Sequence, residues 1–315
     1  MDIFRVHESV VGDYRRYVES FLSIADEKIR AEVETRLLTQ DGVCPDALVQ
    51  LNPGFERGPS VQDLVDEGVL HPLCAGIFRR GSEPIRLHRH QDDAIRRALS
   101  GRPFVVTSGT GSGKSLTYTI PIVDHILKDH PEQRTTRAIL VFPMNALINS
   151  QEQAIREFLD NLDPADRQIT FAKYTGQESP ETKEQLQAHP PHILLTNYVM
   201  LELMLTRPGE YVFIEPPKAA LDYLVLDELH TYRGRQGADV ALLVRRVRQR
   251  SANPDLLCIG TSATMATGES RQQRRAAVAG FASQLFGTAV DAEDVVEESL
   301  RRVIPEPASM ADDAL

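Results

Sequence analysis

The sequence predicts an α/β fold, a parallel β-sheet sandwiched by helices and preceded by a mainly helical accessory segment. From about Arg86 onward six short β-rich runs (PFVVTS, RAILVF, ITFAK, HILLT, DYLVLD and LLCIGT) alternate with helical stretches, and strands joined by helical crossovers pair in parallel. Four of these runs are almost continuously apolar, as strands covered on both faces must be. A glycine-rich turn joins the first run to a helical pattern, and sheets of this kind bind ligands at the carboxyl ends of their strands.

Ahead of the sheet, Tyr17, Phe21, Ile24, Val33 and Leu37 recur near every third or fourth position, which predicts one long amphipathic helix from Asp13 to Leu38. Prolines and glycines between Gly42 and Gly81 predict loops and short helices. Residues 1–85 are therefore expected to be an accessory layer, 86–288 the ligand-binding domain and 289–315 an acidic tail. The formal charge is −10 over 315 residues. Residues 291–315 carry −6 of it, so the chain as a whole cannot coat nucleic acid by bulk electrostatics, although local basic patches can.

No apolar run approaches the roughly 18 to 20 residues of a membrane span. The first ten residues, MDIFRVHESV, lack the basic-then-apolar pattern of a signal peptide. A cytoplasmic location without a membrane partner is expected. Cys44, Cys74 and Cys258 are too widely spaced for metal pairs and read as reduced, buried side chains.

The run ending at Thr107 leads into Ser108-Gly109-Thr110-Gly111-Ser112-Gly113-Lys114-Ser115 and then a helical pattern through Leu116, Tyr118 and Ile120. Glycines let the backbone wrap a polyphosphate and aim several N–H groups at it, aided by the positive end of the helix. Thr110, Gly111, Ser112 and Gly113 would form this cradle. Lys114 would hold the β- and γ-phosphates and the Ser115 hydroxyl would ligate Mg²⁺. Such a loop needs carboxylates from a neighbouring strand end. Asp227 and Glu228, which close the run LDYLVL, fit: Asp227 to meet Mg²⁺ through its water shell, and Glu228 to polarise the attacking water.

The order of motifs resembles the first RecA-like lobe of a superfamily 2 helicase of the DEAD/DEAH-box type, over about Arg86 to Gly287. Leu87-His88-Arg89-His90-Gln91 with Ala94 resembles the adenine-reading glutamine motif, so the resemblance implies that Gln91 bonds the adenine of ATP. Phe142-Pro143-Met144-Asn145-Ala146-Leu147 with Gln151, then Thr175-Gly176 and Thr196-Asn197-Tyr198, resemble the loops that touch the nucleic-acid backbone. Pro143, Asn145, Thr175, Gly176, Thr196 and Asn197 are thereby implied contacts. Asp227-Glu228-Leu229-His230 has the D-E-x-H form, which places His230 with Lys114, Asp227 and Glu228 in the catalytic set. Ser262-Ala263-Thr264 resembles the motif that couples hydrolysis to strand movement, through Ser262 and Thr264. Thr231-Tyr232-Arg233-Gly234-Arg235-Gln236-Gly237 narrows the likeness to Lhr-like and mitomycin-repair-type DNA helicases, which implies DNA rather than RNA as the track.

Two questions stay open in the sequence. Arg245, Arg246, Arg248 and Arg250 could lie along phosphates or form the solvated face of a packed helix. His230 could pair with Ser262 or Thr264, or be a satisfied structural histidine. Residues 265–315 are too few for a second RecA-like lobe, expected to need on the order of 100 residues. The chain therefore reads as one lobe of a longer or split enzyme, whose second lobe would supply an arginine worth about 10³ to 10⁵ in rate. A nucleotide-switched, non-enzymatic binding module is the alternative. An unrelated P-loop ATPase is disfavoured by the combination of Gln91, the D-E-x-H motif and Ser262-Ala263-Thr264.

Overall fold

The computed structural model describes residues 2–36, 53–109, 111–129, 132–163, 168–215, 220–263 and 270–301. The chain divides into two compact units, Met1–Asn52 and Pro53–Leu315. In the first, the single helix expected over Asp13 to Leu38 is instead two, Ile3–Glu19 and Glu27–Arg36. The break is local chemistry. The Ser20 hydroxyl turns back to the Tyr17 carbonyl at 2.6 Å, and the Asp26 carboxylate takes the N–H groups of Lys28 and Ile29 at 2.9 and 3.1 Å. Capping groups of this kind satisfy backbone donors that a continuing helix would have to pair.

In the second unit seven strands form one wholly parallel sheet: β1 (Phe104–Thr107), β2 (Ala138–Phe142), β3 (Phe171–Lys173), β4 (Ile193–Asn197), β5 (Tyr223–Leu226), β6 (Leu257–Ser262) and β7 (Val295–Glu297). Their order across the sheet is β7-β1-β6-β5-β2-β4-β3. Alternate residues feed two cores. Phe104, Val106, Leu140 and Val225 pack under helices Arg89–Leu99, Leu116–Lys128 and Asn145–Leu159. Val105, Ile139, Leu224 and Cys258 pack under Tyr198–Met204, Gly234–Ser251 and Arg271–Phe286. This period-two partition explains why the strands read as unbroken apolar runs.

Two expected boundaries move. The division falls near residue 52, not 85, because residues 53–85 contribute to the sheet's own core. Val61, Leu64, Ile77 and Phe78 are fully buried there, and the His71 N–H donates to the Asp124 carboxylate at 2.6 Å. Part of the expected acidic tail is also structural. β7 pairs with β1 from Val295↔Val105 to Glu297↔Thr107, with both valines buried. Three residues amid many acids give too short a pattern to stand out, and Asp294 is itself buried against Arg97 and Arg102.

At the amino ends of the strands lies an ionic cluster centred on buried Arg137. The Arg137 Nε donates to Asp222 Oδ2 at 2.5 Å, its Nη2 pairs with Asp129, and His125 Nε2 lies 3.1 Å from the same Asp222 oxygen. Cys74 and Cys258 are free and buried, as expected, and Cys44 lies outside the described residues.

Candidate active site

The loop after β1 is pinned on several sides. The Ser108 N–H donates to the Ser262 carbonyl at 3.2 Å, tying loop to β6, and the hydroxyls of Ser108 and Ser112 share a 2.6 Å hydrogen bond. Gly113 has φ +72°, and a Cβ there would come within 2.6 Å of Gln91 Nε2. The positive φ favours glycine, and a Cβ would push the Gln91 amide from its place. The Lys114 ammonium donates to the Ser108 carbonyl at 3.0 Å and lies 3.8 Å from Glu228 Oε1. Ser115 stands at the head of helix Leu116–Lys128 and its carbonyl accepts the Thr119 N–H at 2.9 Å. Thr110 lies outside the described residues.

Gln91 is engaged within the protein itself. Its Nε2 donates to the carbonyls of Ser112 and Gly113 at 3.0 and 2.9 Å, while its Oε1 accepts the His88 N–H at 2.8 Å. With the amide committed at both ends and almost fully buried, Gln91 braces the phosphate loop. It nonetheless lines, with Gly111, Ser112, Gly113, Arg80 and Arg86, a cleft of about 430 Å³ beside that loop.

Asp227 and Glu228 follow β5 in the crevice facing the loop. Burial pushes the Asp227 carboxyl up to about 6; a hydrogen bond from the Thr261 hydroxyl opposes that rise and the charge of Glu228 adds to it. Thr261, absent from the expected set, also accepts the Glu228 N–H at 3.2 Å. A hydroxyl in an otherwise apolar strand, next to Ser262, was the available signal. Glu228 adopts φ 52°, ψ 55°, a left-handed conformation that costs a non-glycine residue about 1 to 3 kcal/mol and clusters at functional sites. The following turn is anchored by buried Leu229 over Gly260, where a Cβ would come within 2.4 Å of Leu229 Cδ1.

His230 Nδ1 lies 3.2 Å from Glu228 Oε2 and 3.4 Å from Ser262 Oγ, so it joins β5 and β6 at the crevice. Thr264 lies outside the described residues.

The donor set suits Mg²⁺. Ser115 and Asp227 offer hard oxygens, and a carboxylate that burial penalises as an anion gains from a cation nearby. Among the described residues no group of three acidic, histidine or cysteine side chains could hold a metal alone.

On the β2–β4 side, Pro143, Asn145, Gly176 and Asn197 line one cleft of about 430 Å³ together with Tyr198 and Met200. The Asn197 amide donates to Asn145 Oδ1 at 2.9 Å. Thr175 and Thr196 do not present side chains to it. The Thr175 hydroxyl is spent on Glu178 at 2.7 Å and the Thr196 hydroxyl on the Tyr174 carbonyl at 2.7 Å, and both residues are buried. The arginine run resolves mainly toward packing. Arg245 bonds the Gln284 carbonyl, Arg248 reaches Cys258 Sγ, and Arg250 pairs with Glu215 while stacking 3.4 Å over Tyr211. Arg246 and Arg235 instead line an open cleft beside Tyr198.

A family model described as DEAD/DEAH box helicase matches residues 88–272. The chain is 32% identical over 203 residues to the uncharacterized ATP-dependent helicase YprA of Bacillus subtilis, covering 64% of this chain and 25% of that protein. It therefore spans about a quarter of the length of this curated relative. Among solved structures it resembles the DUF1998 helicase MrfA bound to DNA (TM-score 0.62, 27% identity, 78% of this chain and 31% of that one). It also resembles the Mycobacterium smegmatis helicase Lhr bound to ssDNA and AMP-PNP (TM-score 0.54, 26% identity, 66% and 25%).

Proposed function

We propose that this chain, which belongs to the DEAD/DEAH box helicase family, is the ATP-binding lobe of an ATP-dependent helicase or translocase that acts on DNA. The observation that carries the reading is the meeting of Lys114 and Glu228, 3.8 Å apart across one crevice, with Asp227 buried beside them. In this arrangement the loop amides and Lys114 take the phosphates of ATP, and Glu228 orients and accepts a proton from the attacking water. Mg²⁺, held by Ser115 and Asp227, would neutralise charge on the β- and γ-oxygens. His230 and Thr261 tie the acidic turn to β6, so a shift at the phosphates reaches Ser262 and the loops beyond it.

Preference for DNA is supported by the DNA-bound relatives named above, and the cleft holding Asn145 and Asn197 offers polar groups to a strand backbone. A second RecA-like lobe, in the same protein or a partner, would complete the site; this lobe alone then binds ATP and turns it over slowly.

The test is Mg-ATP binding and hydrolysis with and without single-stranded DNA or RNA, for the native chain, Lys114→Ala and Glu228→Gln. Absence of nucleotide binding by the native chain would sink the reading. Nucleotide-dependent DNA binding without any hydrolysis, even after a second lobe is supplied, would favour a switch module instead.

A further inference from the structure

One peptide unit of the phosphate loop is held by charge from both sides. Its carbonyl, on Ser108, accepts from the Lys114 ammonium at 3.0 Å. Its N–H, on Gly109, donates to the Glu298 carboxylate at 2.7 Å. In a trans peptide these two groups point in opposite directions. Lysine and glutamate therefore pull one dipole from opposite edges, and each polarises the bond the other makes.

Glu298 is well placed to pass that information on. It follows β7 directly, and its own N–H donates to the Thr107 carbonyl at 3.2 Å. The next residues zip onto the segment ahead of the sheet: the Glu56 N–H donates to Ser299 O and the Arg301 N–H to Gly54 O, each at 2.7 Å, while Phe55 bridges Leu300. Glu56 in turn grips Arg89 at 3.0 Å, at the head of the helix whose Gln91 braces Ser112 and Gly113. Loop, strap and helix thus close a ring of polar contacts around the phosphate site.

We propose that Glu298 is a positioning residue of the ATP site, and that it couples occupation of the phosphate loop to the strap at residues 298–301 through the Ser108–Gly109 peptide. This rests on the ATP-site reading above. Lys114 has three N–H donors, and an incoming polyphosphate would draw the ammonium's position and charge away from the Ser108 carbonyl. As the ammonium is drawn to the phosphates, the peptide loses one of its two orienting charges and its hold on Glu298 changes. The carboxylate itself is no phosphate ligand, since like charges repel.

The test uses the full chain with Mg²⁺ and AMP-PNP as the probe, reading affinity and hydrogen exchange. In the native chain, nucleotide should alter exchange at residues 54–56 and 299–301. Glu298→Ala should abolish that response and weaken nucleotide binding about tenfold, the scale of one charge-assisted hydrogen bond. Glu298→Gln keeps an acceptor oxygen; its affinity should stay within about threefold of native and the exchange response should survive. The proposal is overturned if the native strap does not respond to nucleotide, or if Glu298→Ala binds as the native chain does. Tighter binding by Glu298→Ala would also overturn it, because the carboxylate would then be a competitor. Failure of the native chain to bind nucleotide at all is a separate result and removes the ATP-site reading as well.

Discussion

At the amino ends of β2 and β5, Arg137 is satisfied by Asp222, Asp129 and His125, and none of these groups was expected to do chemistry. At the carboxyl ends of β5 and β6, Glu228 is held left-handed, Asp227 has its carboxyl raised by burial, and Lys114 bonds a carbonyl of its own loop. The same strands thus end in a cluster of mutually paired ions on one side and in strained, under-compensated polar groups on the other. The difference teaches where this lobe invests stability and where it withholds it. Around Arg137 the charges answer one another, while the charges that must meet a ligand are left with part of their demand unmet, as at Glu228 Oε2.

The largest effect that would break this contrast lies at the carboxyl end. Glu228→Gln should leave Mg-nucleotide affinity near native and lower hydrolysis by about 10² to 10⁴, the range for loss of a positioned general base. Single-turnover hydrolysis beside equilibrium binding separates the two quantities. A variant that hydrolyses normally would remove Glu228 from the chemistry. At the opposite end, Arg137→Met should cost about 1 to 3 kcal/mol, because half-buried Asp222 loses its charge-assisted partner while Asp129 can turn to water. Urea unfolding would register this, and the folded fraction should bind nucleotide as before. Lost nucleotide affinity with unchanged stability would invert the assignment of the two ends.

How far each end was legible follows from how each is built. Lys114, Asp227 and Glu228 could be read because glycine turns and a carboxylate pair sit in an uncommon order on strand ends. The six short β-rich runs, four of them almost continuously apolar, were equally plain. β7 was not, since Val295 and Val296 are only two apolar residues in an acidic stretch. The brace made by Gln91 could not be foreseen either; a buried amide serves whichever carbonyls the folded turn brings to it, here those of Ser112 and Gly113. Among the implied nucleic-acid contacts, Asn145 and Asn197 meet at a cleft, whereas Thr175 and Thr196 turn inward, a choice set by the neighbours Glu178 and Tyr174.

Thr261 offers a sharper cut within the carboxyl end. Its hydroxyl donates to Asp227 and accepts from the Glu228 N–H. Replacement by valine keeps the volume, but leaves a buried N–H and a buried carboxyl oxygen each short of a partner. Thr261→Val should therefore destabilise the lobe by about 1 to 3 kcal/mol. It should also lower hydrolysis more than nucleotide affinity, because the turn that aims Glu228 loosens while the phosphate loop is untouched. Equal losses in both would place Thr261 in the fold alone.

The smallest predicted effect concerns acid. His90 is fully buried next to the rings of Phe55 and His88, and burial, assisted by repulsion from His88, lowers its pKa to about 4. The folded lobe therefore refuses a proton that the unfolded chain accepts near the ordinary value of 6.5. Stability from keeping His90 neutral is complete above about pH 6.5 and drains as the pH falls toward 4. The loss should be on the order of 2 kcal/mol or less and should appear as a falling urea midpoint between pH 7 and pH 5. In His90→Phe the pH slope over that range should flatten by about one proton, since the group that titrates is gone. An unchanged slope would assign the acid sensitivity elsewhere.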